Sequence, residues 1–214
     1  HRDLHSFPTR RSSDLINYTE PVTAIKIVGL NLGSSGSPGF DVANVQVLNI
    51  GPGLPALIAS DPPADGTLAR TRNNLITLTF DGAVELPAGP ALTIAPIGPT
   101  GYGVDLGGAF VYAVESDGVT LTATESGQVL TNRTWYRITP TAELAVAPFE
   151  LDLCTLIGDA DGSGQVLPAD LSAIWAHKLE YTTARWDIDG SGQVLPADLS
   201  AAWAHKLEIK PPKP

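Results

Sequence analysis

Two stretches near the C-terminal end, DADGSGQVLPAD from Asp159 and DIDGSGQVLPAD from Asp187, place oxygen-bearing side chains at fixed intervals. Carboxylates stand at positions 1, 3 and 12 of each stretch and a serine hydroxyl at position 5. Calcium is a hard cation that takes six to eight oxygens, and a twelve-residue loop wraps it from positions 1, 3, 5, 7 and 12. The candidate ligands are therefore Asp159, Asp161, Ser163, the Gln165 carbonyl and Asp170, then Asp187, Asp189, Ser191, the Gln193 carbonyl and Asp198. Gly164 and Gly192 fall at position 6, where the loop must turn sharply and a Cβ would obstruct it. Leu167 and Leu195 at position 9 cannot ligate, so water is expected there. Serine at position 5 and the short aspartate at position 12 predict modest affinity. Val166 and Val194 at position 8 are expected to pair the two loops with each other.

The elements that must hold these ligands repeat as well. Residues 161–180 and 189–208 are the same twenty-residue string at an offset of 28, differing only at Ile174 against Ala202. Such a repeat defines the structural unit. Each loop runs into PADLSA(I/A)WAHKLE, where an early proline costs little and Leu171, Ile174 or Trp175, and Leu179 recur at helical spacing. The tryptophans at 175 and 203 are expected between the two helices, since about sixty residues hold little core. His177 and His205 have no nucleophile beside them in sequence and read as surface or interface residues.

An ordinary EF-hand has a helix before its loop as well as after it. Here LDLCTLIG precedes the first loop and only YTTARW the second, so the preceding helices are missing or rudimentary. Loop plus following helix, twice, resembles a dockerin module of type I over residues 156–208. The resemblance implies two calcium ions and a cohesin-type protein partner. It places partner choice at Pro168, Ala169, Trp175, Ala176 and Glu180, and at Pro196, Ala197, Trp203, Ala204 and Glu208. The near-identical halves would let a partner dock in two orientations. This sequence departs from cellulosomal dockerins in its Pro-Ala pair and in leucine at position 9, which bears on the partner more than on the metal.

Upstream the texture is that of strands. Asn74–Phe80, 110–114, 119–124 and 134–138 alternate in polarity, with turns at Asp81, 116–118, 125–127 and 131–133. Short strands at this spacing predict an all-β sandwich over residues 56–153. The stretch SDPPADGTLARTRNNLITLTFDGAV resembles the start of bacterial Ig-like domains. Trp135, Tyr136 and Phe149 are expected in the core or on a sheet face. Residues 16–50 read as the last hairpin of a truncated upstream β-sandwich, residues 51–55 (GPGLP) as a linker, and 209–214 as a Pro-rich tail. His1–Leu15 matches the translation of a short-read sequencing adapter and is set aside as artefactual and disordered.

The expected fold class is thus multidomain: an all-β Ig-like sandwich followed by a small all-α dockerin-type module of two calcium loop–helix repeats. A net charge of −10 disfavours nucleic acid, which demands clustered Lys and Arg. One cysteine rules out an internal disulfide. No apolar run is long enough to span a bilayer. Together with these features, the dockerin and Ig-like resemblances imply a non-catalytic C-terminal part of a larger secreted or cell-surface bacterial protein, attached through the module to a cohesin-type partner. A purely structural, calcium-stabilised terminus without a cohesin partner is the alternative. So is an accessory region of a polysaccharide-active enzyme whose catalytic domain lies upstream.

Overall fold

Strand-forming sequence dominates the computed structural model, which describes residues 53–182 and 184–214. The readings for 1–15, 16–50 and the first two residues of the 51–55 linker lie outside the described residues. Alternation sets the inward faces. In β3 (Leu75–Phe80) Ile76, Leu78 and Phe80 are buried while Leu75, Thr77 and Thr79 are only half-buried. In β7 (Thr120–Glu125) Leu121 and Ala123 point the same way.

These two strands lie at the centre of a four-stranded antiparallel sheet in the order β1-β3-β7-β6, with β1 at Leu57–Asp61 and β6 at Phe110–Val114. The second sheet runs β2-β9-β8-β4-β5. Its members are β2 (Thr67–Leu68), β9 (Leu151–Thr155), β8 (Trp135–Pro140), β4 (Leu92–Gly98) and β5 (Gly101–Tyr102). One core lies between the sheets: Ile76, Leu78, Phe80 and Leu121 from the first meet Leu92, Ile94, Ile138 and Leu153 from the second. Trp135 and Tyr136 are buried, and Phe149 meets Phe80 edge-on at 6.0 Å.

The edge strand β2 positions everything that follows. It pairs parallel to β9, Thr67 opposite Cys154 and Leu68 opposite Thr155. The ladder then continues beyond both strands, with Leu156 N–H donating to the Leu68 carbonyl and Gly158 N–H to that of Ala69, each at 2.9 Å. Thr71 N–H reaches the Ile188 carbonyl at 2.8 Å. A single extended segment, 67–71, is thereby bonded to the start of both acidic loops.

The expectation of a separate all-α module is corrected here. The described residues contain only two α-helices, α1 (Pro168–Ala176) and α2 (Pro196–Ala204), of nine residues each, against nine strands. Each helix stops at its histidine, and the leucine two residues on adopts a left-handed conformation, φ 69° at Leu179 and 68° at Leu207. Neither leucine extends the helical stripe; both are exposed. Two such short helices cannot supply a core alone. Their shared cluster is Ile174, Ala202, Val194, Ala160 and Ile188, completed by Ala69 from the sheet edge. Residues 53–214 accordingly form one compact unit.

Candidate metal centre

The acidic residues meet as the loop spacing predicts. Carboxylate oxygens of Asp159, Asp161 and Asp170 lie within 4.8 Å of one another, and those of Asp187, Asp189 and Asp198 do the same. The first and last of each trio are fully buried. Either cluster could hold a metal ion.

Local bonding explains why each loop closes. Gly164 N–H, at position 6 with φ +83°, donates to Asp159 Oδ2 at 3.0 Å, and Gly192 N–H, with φ +90°, to Asp187 Oδ2 at 3.1 Å. Asp170 accepts from Asp161 N–H at 2.9 Å and from Leu167 N–H at 2.7 Å. It therefore caps α1 at N3 and faces the cluster with the same carboxylate. Asp198 repeats this with Asp189 N–H and Leu195 N–H. Ser163 and Ser191 hydroxyls donate to the carbonyls of Gln165 and Gln193 at 3.1 and 3.0 Å, so the position-5 and position-7 oxygens also sit together.

One atom stands out. Asp159 Oδ1 is buried and has no hydrogen-bond partner. A buried, unsatisfied carboxylate oxygen is costly, and a bound cation removes the cost where a proton does not. Burial raises the Asp159 and Asp170 pKa values, with neighbouring carboxylates adding to it. For Asp161 burial acts in the same direction, but hydrogen bonds from Ser163 outweigh it and hold the group low. Burial likewise raises Asp198. Three carboxylates packed this closely resist ionising together without a counter-charge. The residues present fit a hard, oxygen-seeking cation.

The valines do not pair the loops with each other. Val166 exchanges bonds with the chain beyond α2, its N–H donating to the Glu208 carbonyl at 2.9 Å and its carbonyl accepting from Leu207 at 2.8 Å. Val194 does so with Glu180 and Leu179 beyond α1, at 2.9 and 2.7 Å. Both polar groups of each valine are thus consumed by the exit of the other repeat. The left-handed leucines turn the chain into that crossed arrangement.

The tryptophans are also misplaced by the sequence reading. Trp175 and Trp203 are 53% and 54% exposed, because Ile174 and Ala202 take the inward positions. Lys178 and Lys206 ammonium groups lie 4.3 and 4.1 Å from their ring centroids. Pro168, Ala169, Ala176 and Glu180 are exposed, as are Pro196, Ala197 and Ala204, whereas Glu208 is half-buried. His177 stacks on Trp186 at 3.9 Å, and His205 contacts Asn132 and Glu208.

Sequence reasoning missed the residues that the sandwich contributes. Thr67 hydroxyl donates to Asp159 Oδ2 at 2.6 Å. Arg70 Nη2 meets Asp187 Oδ2 at 2.6 Å, and its Nε donates to the Asp187 carbonyl at 2.9 Å. Arg72 and Asn73 donate to the carbonyls of Asp189 and Gly190. These partners lie 92 to 117 residues from the loops, beyond any short-range signal. No family model matches this chain, and no curated protein matches it either.

Proposed function

We propose that residues 156–208 bind two calcium ions and present an exposed docking face, within a non-catalytic part of a secreted or cell-surface bacterial protein. The observation that carries the metal reading is Asp159 Oδ1, a fully buried carboxylate oxygen without a partner inside a ring of oxygens. Calcium fits better than magnesium, because the loop offers hydroxyl and carbonyl oxygens alongside several carboxylates, a larger oxygen set than magnesium, which usually takes one or two carboxylates, draws on. Zinc would ask for nitrogen or sulfur, and neither histidine nor Cys154 belongs to these clusters.

The docking reading rests on Trp175 and Trp203, half-exposed under lysines, and on the exposed Pro-Ala pairs. Large aromatic groups anchor protein interfaces. A cohesin-type module is the partner that the dockerin resemblance implies. A second reading is favoured by the bonds from Thr67, Arg70 and Asn132: calcium would then staple a structural terminus to the sandwich, with no partner at all.

Calorimetric titration of the chelator-treated chain with calcium tests the metal reading; an Asp159→Asn/Asp187→Asn double variant supplies the blank. Absence of binding at millimolar calcium defeats it. A pull-down against cohesin modules, with Trp175→Ala/Trp203→Ala as control, separates docking from stapling.

A further inference from the structure

The repeats are nearly identical in sequence, yet the sandwich treats their first carboxylates differently. Thr67 gives Asp159 a neutral hydroxyl, whereas Arg70, three residues on, gives Asp187 a full positive charge at 2.6 Å. Both partners of the arginine pair are buried, 5% and 0% exposed, so solvent screens the charge little. Arg70 is held in place from behind. Asn74 bonds its backbone N–H and carbonyl, and the buried Glu125 fixes the Asn74 amide at 2.7 Å.

The consequence falls on the oxygens. Asp187 Oδ1 accepts from Ser191 N–H at 3.0 Å, and its Oδ2 accepts from Gly192 and Arg70. Among the described residues, the orphaned buried oxygen occurs at the first cluster alone. Three carboxylates beside one guanidinium leave two net negative charges at the second site, against three at the first. Other cations approach the first loop without binding its carboxylates: Arg185 lies against Gly162 but donates to the Thr67 carbonyl, and Lys210 donates to that of Asp65.

We propose that the two metal sites are inequivalent, and that Arg70 makes them so by acting as a resident cation on the second. The first site fills at lower calcium. The second fills later, against the charge of Arg70. This inference rests on the calcium reading above.

The Gly164 and Gly192 amides each donate to the first carboxylate of their own loop, so they report the two sites separately in an amide NMR titration with calcium chloride. In the unaltered full chain, Gly164 is expected to shift at calcium about tenfold lower than Gly192, equivalent to about 1.4 kcal/mol. Arg70→Gln is expected to narrow the ratio to below about threefold, and Arg70→Lys to preserve most of it. Simultaneous movement, or Gly192 first, overturns the inequivalence while leaving calcium binding intact. An unchanged ratio in Arg70→Gln overturns the role of Arg70. If Arg70→Gln does not fold, a ratio in Arg70→Lys that collapses despite the retained charge overturns that role equally. If neither glycine moves, it is the calcium reading itself that fails.

Discussion

Asn132 Nδ2 donates to the Glu208 carboxylate at 2.7 Å, tying the turn before β8 to the chain beyond α2. The equivalent carboxylate of the first repeat, Glu180, binds among the described residues only its own His177 and is 53% exposed. Asn132 Oδ1 also accepts from Ile157 N–H at 2.9 Å, just before the first loop. One side chain thus joins the sandwich to both ends of the paired repeats. Two-fold symmetry in the sequence does not survive in the surface.

Removing that side chain should loosen the assembly. Asn132→Ala is expected to cost about 1–3 kcal/mol, since it removes one partner of the part-buried Glu208 carboxylate and leaves the Ile157 amide without its acceptor. Urea unfolding of the chain measures this. A change within about 0.5 kcal/mol would mean water replaces both bonds without penalty.

Chelation is expected to weaken the sandwich together with the helices. The loops share hydrogen bonds with 67–71 and a small core with Ala69, so the two parts should unfold in one transition. Calcium at a hundred times its dissociation constant stabilises by about 2.7 kcal/mol per site. For a unit of this size that raises Tm by about 5–10 °C. Calorimetric scans with and without chelator decide it; two separate transitions without calcium would show that the sandwich stands alone.

Much of this was legible in local sequence, and the exceptions share a cause. The loop ligands could be named because calcium spacing is a property of twelve adjacent residues. β3 and β6 could be placed because polarity alternates within a few residues. Thr67, Arg70 and Asn132 carry no such signal: a threonine, an arginine and an asparagine in an irregular stretch become important only once folding brings a distant loop beside them. The tryptophans were misassigned because nine-residue helices have room for one buried position per turn, and Ile174 and Ala202 already fill it. A separate helical module was expected because the repeat looks self-contained in sequence. Its core, however, is finished by the sheet edge.

Gly190 marks where the second loop touches the sandwich. Its φ is +69°, and a Cβ there would stand 2.6 Å from the Arg72 carbonyl oxygen. Gly190→Ala is therefore expected to cost about 1–3 kcal/mol, combining left-handed strain with a backbone clash. Thermal unfolding reads the loss. Calcium binding at the first loop should persist, which the Gly164 amide reports.

Acid sensitivity should come in part from Asp152, which is nearly buried. Hydrogen bonds from Arg137 Nε and Nη2 at 2.8 and 2.9 Å hold its pKa below the ordinary carboxylate range, with Lys213 at 2.6 Å reinforcing them against burial. A depressed folded pKa gives stability that is complete above the unfolded value, about 3.9, and is lost as pH falls through the folded one. Asp152→Asn should cost about 1.5–3 kcal/mol at pH 7 and flatten the acid limb below about pH 4. Unfolding free energy measured from pH 7 down to 2 tests both statements; an acid limb as steep as before would place the titrating group elsewhere.

The single difference between the twenty-residue repeats lies where the helices share their core. Ile174 is 1% exposed and Ala202 0%, and both belong to the same small cluster. Space beside Ala202 is already taken: a Cβ on Gly158 would meet its Cα at 3.0 Å and its Cβ at 3.3 Å. A large residue on one helix and a small one on the other let the first-loop backbone pass close to α2. Making the repeats identical should therefore destabilise the chain in either direction. Ala202→Ile overfills the contact with Gly158 and is expected to cost about 1–3 kcal/mol. Ile174→Ala empties a core of only six residues and is expected to cost about 2–4 kcal/mol. The exchange Ile174→Ala/Ala202→Ile restores volume but moves it to the crowded side, so it should not recover the loss. Recovery in the exchanged variant would mean that the two helices are interchangeable after all.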